Sequence, residues 1–139
     1  MARTRWEAAR AGELAIPAST TLGFVVEPTT DPADHIVLSW VVPEEYCNSA
    51  GHLQGGVLGA FMDALFGGAC AAQLPEDQYP ALAEMKVSIF RPSPAGTKLI
   101  GTGRVLKRGK RLLFSEAEVT DESGKLVAKG SGTAIPQQT

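Results

Sequence analysis

The sequence predicts an α+β fold in which an antiparallel sheet wraps around one long central helix, and three observations predict it. Residues 54–73 form an almost uncharged stretch of Ala, Gly, Leu, Phe, Val, Met and Cys, and Asp63 is the one charged residue between Gly55 and Ala72. A helix that is apolar on every face must be buried on every face. Four strand-like segments follow it at regular spacing, separated by Pro92-Ser-Pro-Ala-Gly96, Arg108-Gly-Lys110 and Asp121-Glu-Ser-Gly124, all of them hairpin chemistry. The chain of 139 residues has the length of one domain, long enough to bury a core.

Residues 1–20 read as an N-terminal segment with a short helix near Trp6, ended by Pro17, and no function is assigned to them. Residues 21–139 read as a single domain. Residues 22–27 form a short strand, and the turn-rich Pro28–Pro32 region leads to a β-branched strand over residues 35–42, stopped by Pro43. Asn48, Ser49 and Gly51 belong to a loop that enters the helix, and Pro75 ends it. The helix is rich in Gly and Ala, which lowers its propensity but lets sheet backbone approach closely. The four later strands are expected over residues 82–91, 98–106, 112–120 and 125–135, arranged as a meander. In the first of them Met85, Val87 and Ile89 alternate with Glu84, Lys86 and Ser88, the period of a half-exposed antiparallel strand.

The bulk numbers exclude several function classes. A net charge of −2 argues against nucleic acid as the main partner. Cys47 and Cys70 make neither a metal spacing nor a disulfide framework, and no cluster of His, Cys and carboxylates has ligand spacing, so no metal and no cofactor are expected. The helix is near membrane-spanning length, but Asp63 at its midpoint would cost about 2.5–3.5 kcal/mol on an insertion scale. Nothing in the first residues reads as a signal peptide. These points give a cytoplasmic protein without membrane contact.

The helix entrance, Gln54-Gly55-Gly56, is where chemistry is expected. Helix N-termini present unpaired N–H groups and a partial positive charge, suited to an anion or a developing oxyanion. Glycine there lets a ligand approach the backbone, although tight packing at a helix start would ask for the same residues. Asp63 is the stronger signal, because a buried Asp needs a partner or a task. Eight residues separate it from Gly55, roughly 12 Å along the axis and about 80° around it. An oxyanion donor and a base must each lie about 3 Å from one reacting group. If both residues are catalytic, Gly55 of one subunit must therefore meet Asp63 of another across a two-fold interface.

Asn48-x-x-Gly51-x-x-Gln54-Gly55-Gly56, with Asp63 nine residues after Gln54, resembles the signature of the PaaI-like acyl-CoA thioesterases of the hotdog-fold superfamily. Leu22-Gly-Phe, Phe90-Arg91-Pro92, Gly109-Lys110 and Gly124-Lys125-Leu-Val-Ala extend the likeness over nearly all of residues 22–135. The resemblance implies a hotdog fold, a homodimer joined through its sheets and assembling to a tetramer, and hydrolysis of acyl-CoA thioesters. It implies that the Gly55 N–H polarises the thioester carbonyl and that the partner's Asp63 acts as general base or nucleophile. Asn48 would hold the water or the carboxylate.

Two residues depart from the family pattern. The family's His is Gln54, which can donate a hydrogen bond but cannot be an acid–base group; His52 is two residues away and reads as a loop residue. Leu82 stands where many relatives have Ser or Thr, and Glu84 matches a common acidic position, expected on the exposed face. The substrate site is expected to use Gly56, an apolar pocket lined by Phe61 and Leu65, and CoA phosphate contacts from Arg91, Lys107, Arg108, Lys110 and Arg111, the last four alternatively a solvated hairpin tip. The competing functions are a non-catalytic acyl-CoA-binding module, consistent with the missing His, and a hotdog hydratase or dehydratase, which would ordinarily need a His on the helix.

Overall fold

The computed structural model describes residues 2–139; residue 1, the start of the expected N-terminal segment, lies outside them. The elements run α1 (Arg5–Arg10), α2 (Pro17–Leu22), β1 (Val25–Glu27), β2 (Ile36–Val41), a 3₁₀ turn at Glu44–Tyr46, α3 (Gly55–Ala71), β3 (Gln78–Ile89), β4 (Lys98–Arg108), β5 (Leu113–Asp121) and β6 (Leu126–Gln138). Six antiparallel strands form one sheet in the order β1-β2-β4-β5-β6-β3, with α3 packed on it. This is the hotdog fold. No helix of the described residues is long and apolar enough to cross a membrane.

The expected four-stranded meander is only three strands long. β4, β5 and β6 pair in succession, but β3 pairs with β6 at the far edge, and β4 pairs with β2. The cause is α3, which carries the chain from β2 across the sheet to the opposite edge. The return is fixed beside β2, where the Val42 N–H donates to Thr97 O at 2.9 Å and the Gly96 N–H to Val42 O at 2.9 Å. β3 also starts earlier than expected and includes Pro80. A proline suits an edge strand, whose outer side needs no donor.

Side-chain size, not polarity, decides which face of α3 meets the sheet. Leu58, Phe61, Met62, Leu65, Phe66 and Ala69 recur at helical spacing, and all are buried. Opposite them run Gly56, Ala60, Asp63, Ala64, Gly67 and Ala71, all exposed or half-buried. The expectation of a helix buried on all sides, with its small residues admitting the sheet, is corrected accordingly. The close approach is made by sheet glycines instead. A Cβ on Gly103 would lie 2.5 Å from the Leu65 carbonyl oxygen, and one on Gly101 2.5 Å from the Leu65 side chain.

The N-terminal segment is part of this packing. Thr4 and Glu7 cap α1 reciprocally, the Thr4 N–H donating to Glu7 Oε2 at 2.7 Å and the Glu7 N–H to Thr4 Oγ1 at 3.2 Å. The Arg5 N–H donates to Leu74 O at 2.9 Å, tying α1 to the end of α3. α1 ends at Arg10, well before the expected stop at Pro17, which instead opens α2 at a first-turn position; Gly23, at φ 87°, closes α2. The Trp40 indole N–H then donates to Leu22 O at 2.7 Å, and Phe24 meets Trp40 edge-on at 4.9 Å.

Candidate active site

The loop into α3 is built to leave two N–H groups free. The Asn48 N–H donates to His52 O at 2.7 Å, and Asn48 Oδ1 accepts from the N–H of Ala50 and of His52. Gly51, at φ 79°, makes the turn between them. Leu53 N–H donates to Ser93 O and Gln54 N–H to Tyr46 O, so the strap is held on both sides. Gln54 O then accepts from Val57 and Leu58, starting the helix. The N–H groups of Gly55 and Gly56 find no acceptor among the described residues. A Cβ on Gly56 would meet nothing within 4 Å, and one on Gly55 only Ile89 at 3.3 Å, so the approach to both is open. The Gln54 side chain makes no cap hydrogen bond. Asn48 has its carboxamide oxygen committed to its own loop, which leaves only its NH₂ to donate outward.

Asp63 lies two turns further along α3, on the small-residue face. It is exposed in the single chain, not held in an interior as expected. Its apolar walls nevertheless push its carboxyl above the usual Asp value by desolvation, with no hydrogen bond or opposite charge among the described residues to offset this.

Those walls belong to a cavity of about 350 Å³. Its floor is the α3 stripe of Ala60, Asp63, Ala64, Gly67, Gly68 and Ala71. Arg5, Trp6 and Ala9 of α1, residues 14–16, Leu22 and Phe24 cover it. Phe61 and Leu65 do not line it: both are 0 % exposed and packed on the sheet. They sit on the opposite face of the helix from Asp63, not beside it as an apolar pocket lined by them would require.

The basic residues divide between the two ends of α3. Arg91 follows β3, whose Ile89 lies against Gly55, so it belongs to the entrance. Lys107 and Arg108 end β4, and Lys110 and Arg111 form the hairpin after it, at the far end of α3. There Arg108 Nη1 donates to Gln73 O, so its guanidinium serves the carbonyl end of the helix rather than standing free. Among the described residues no three His, Cys, Asp or Glu side chains gather as a metal site.

Residues 50–128 match the thioesterase superfamily. The chain belongs to that superfamily. Acyl-coenzyme A thioesterase 13 of Mus musculus is 28 % identical over 102 residues, covering 72 % of this chain and 71 % of that protein. The human protein of the same name is 30 % identical over 100 residues, covering 70 % of each. Among solved structures, a phenylacetic acid degradation-related protein of Ralstonia eutropha superimposes with a TM-score of 0.85 at 29 % identity, over 94 % of this chain and 98 % of that one. The PaaI protein of E. coli gives 0.84 at 22 % identity, over 96 % and 93 %, a likeness of fold.

Within this thioesterase-superfamily chain, Leu82 points toward the core beside Gly132, and Glu84 accepts a hydrogen bond from Thr133 Oγ1 at 2.9 Å on the exposed face. His52 is held in a bridge with Pro94. The cavity roof is what the sequence reading missed. The signal was present in Trp6, Leu14, Ile16 and Leu22, large apolar residues spaced through a segment of small and polar ones.

Proposed function

We propose that the chain hydrolyses acyl-CoA thioesters to free acid and CoA at a site shared by two subunits. The observation that carries this is the pairing of two free N–H groups at Gly55 and Gly56 with a carboxylate, Asp63, that has no partner of its own and lies about 12 Å further along the same helix. One substrate carbonyl cannot reach both within a chain. Gly59 lies midway between them in sequence, so two antiparallel α3 helices placed with their Gly59 positions level would set each Gly55 against the partner's Asp63. β3 supports such a dimer. It is an edge strand with Met85 and Ile89 43 % and 47 % exposed and Phe90, just past its end, 57 % exposed, and an uncovered apolar edge favours strand pairing.

In this arrangement the Gly55 N–H stabilises the oxyanion as the thioester carbonyl becomes tetrahedral. The partner's Asp63 takes a proton from the attacking water and passes it to the departing CoA thiolate, which leaves the free acid. Alternatively it attacks the carbonyl carbon itself and expels the thiolate; water then cleaves the resulting mixed anhydride to the free acid and the restored carboxylate, and its spare proton goes to the thiolate. Asn48 and Gln54, beside the entrance, donate amide N–H groups and move no proton. Wild type is expected to hydrolyse acyl-CoAs, and Asp63→Asn to lose at least about 10²-fold in kcat/KM, the low end for a missing general base. Wild-type turnover by Asp63→Asn on every acyl-CoA tried would make the carboxylate structural.

The position of Arg91 beside the helix entrance favours it for the CoA phosphates over the far-end cluster. Arg91→Ala is expected to raise KM for acyl-CoA with kcat nearly unchanged, the pattern of lost uniform binding. The same change at Lys110 is expected to do neither; the reverse result would move the nucleotide to the other end of the helix.

A further inference from the structure

The cavity beside Asp63 has a shape as well as a volume. Ala60, Ala64, Gly67 and Ala71 are spaced i, i+4, i+7 and i+11, one straight stripe along α3. Eleven residues of helix span roughly 16 Å, so the floor is a groove parallel to the helix axis with Asp63 near one end. Spread over that length, about 350 Å³ leaves a mean cross-section of only about 20 Å². The far end is closed by Arg5, whose Nη1 donates to Glu76 O at 3.1 Å and whose guanidinium stands 5.8 Å from the Tyr79 ring centre. With its charge held outside, the residue can present its hydrocarbon stem inward. Trp6 presses on Gly68 from above: a Cβ there would lie 2.8 Å from the indole.

We propose that this groove is the acyl-binding pocket and that the acyl group it accepts is a straight chain of medium length, with residues 5–24 as the element that sets the limit. The inference rests on the thioesterase reading above, since Asp63 marks where the thioester carbonyl sits. Volume decides the class. On a scale of roughly 30 Å³ per carbon-sized group, a phenylacetyl group would fill only about two-thirds of this cavity and leave the walls of its far end without contacts. At roughly 30 Å³ per water-sized group in a liquid, the groove accommodates about a dozen carbons, and a longer chain would meet Arg5 and Trp6.

Gly67 provides the test. It faces the groove, and a Cβ on it would meet nothing within 4 Å, so Gly67→Leu inserts a side chain into the cavity without touching the fold. The readout is the ratio of kcat/KM for decanoyl-CoA to that for butyryl-CoA. Gly67→Leu is expected to lower this ratio about 10²-fold, the scale on which pockets discriminate by a few methylenes, and Trp6→Ala to extend the accepted chain length. An unchanged ratio in Gly67→Leu overturns the proposal, as does a wild-type preference for phenylacetyl-CoA over decanoyl-CoA. Calorimetric binding of decanoyl-CoA to Asp63→Asn, with and without Gly67→Leu, separates this inference from the hydrolytic one. If wild type hydrolyses nothing but the Asp63→Asn chain binds decanoyl-CoA and Gly67→Leu abolishes that binding, the pocket stands and the hydrolysis reading fails.

Discussion

Asp63 is held under two opposed requirements. A base or nucleophile must be ionised to act, yet its apolar surroundings favour the neutral acid and raise its pKa. The sign of the effect on stability follows. A carboxyl whose pKa is higher folded than unfolded binds its proton more tightly in the native state, so folding is weakened as pH rises through that pKa. At neutral pH, Asp63→Asn is therefore expected to melt no lower than wild type, and slightly higher. The difference should close as the pH falls through the raised pKa toward about 3.9, the unfolded value. A lower melting temperature for Asp63→Asn at pH 7 would show that the carboxylate holds the structure together. Activity is expected to follow one acidic ionisation, kcat/KM rising once and then staying flat through neutral pH, because Gln54 brings no second titrating group to the entrance. A second limb in the profile that His52→Ala removes would give the proton transfer to His52.

At the scale of elements, the helix was legible and its orientation was not. Residues 54–73 announced α3 through composition alone, and the observed limits, Gly55–Ala71, fall inside that range. Hydropathy could not tell its faces apart, because Ala and Gly count as apolar beside Leu and Phe; the separation of large from small residues carried that information. It also separates the pocket-side small residues from Phe61 and Leu65. A short helix near Trp6 could be read, but α1 and α2 have six residues each, too few for a periodicity to say which face would roof the cavity. On the sheet side, the burden of close packing falls on glycines that a strand pattern treats as weaknesses. Gly103→Ala would place its Cβ 2.5 Å from the Leu65 carbonyl oxygen, a backbone atom that cannot swing aside. It is expected to cost about 1–3 kcal/mol by overpacking, read as a lower urea midpoint at constant slope. An unchanged midpoint would mean that α3 rides more loosely on the sheet than the contacts imply.

For the whole molecule, the order of strands was the part that sequence could not supply. Regular spacing of four segments suggested a meander, but which edge β3 joins depends on where α3 sets it down, a tertiary fact. That placement leaves β3 uncovered and puts the entrance of α3 beside it, so the proposed catalytic pair and the open edge belong to one geometric argument. A mixing experiment tests the argument directly. Gly55→Pro removes the N–H in question at the first helical position, where proline is well tolerated, and Gln54 before it, at φ −60° and ψ 132°, already has the extended backbone that a following proline requires. Gly55→Pro and Asp63→Asn chains are each expected to be folded and nearly inactive. In a mixed dimer, Asp63 of the first faces Gly55 of the second, so one of its two sites is intact and the other doubly altered. Equal, random reassortment makes about half the dimers mixed and returns about a quarter of wild-type activity, a figure that follows from two-fold symmetry alone. If each chain carried a complete site of its own, every site in the mixture would still lack one of its two groups, and reassortment would recover nothing.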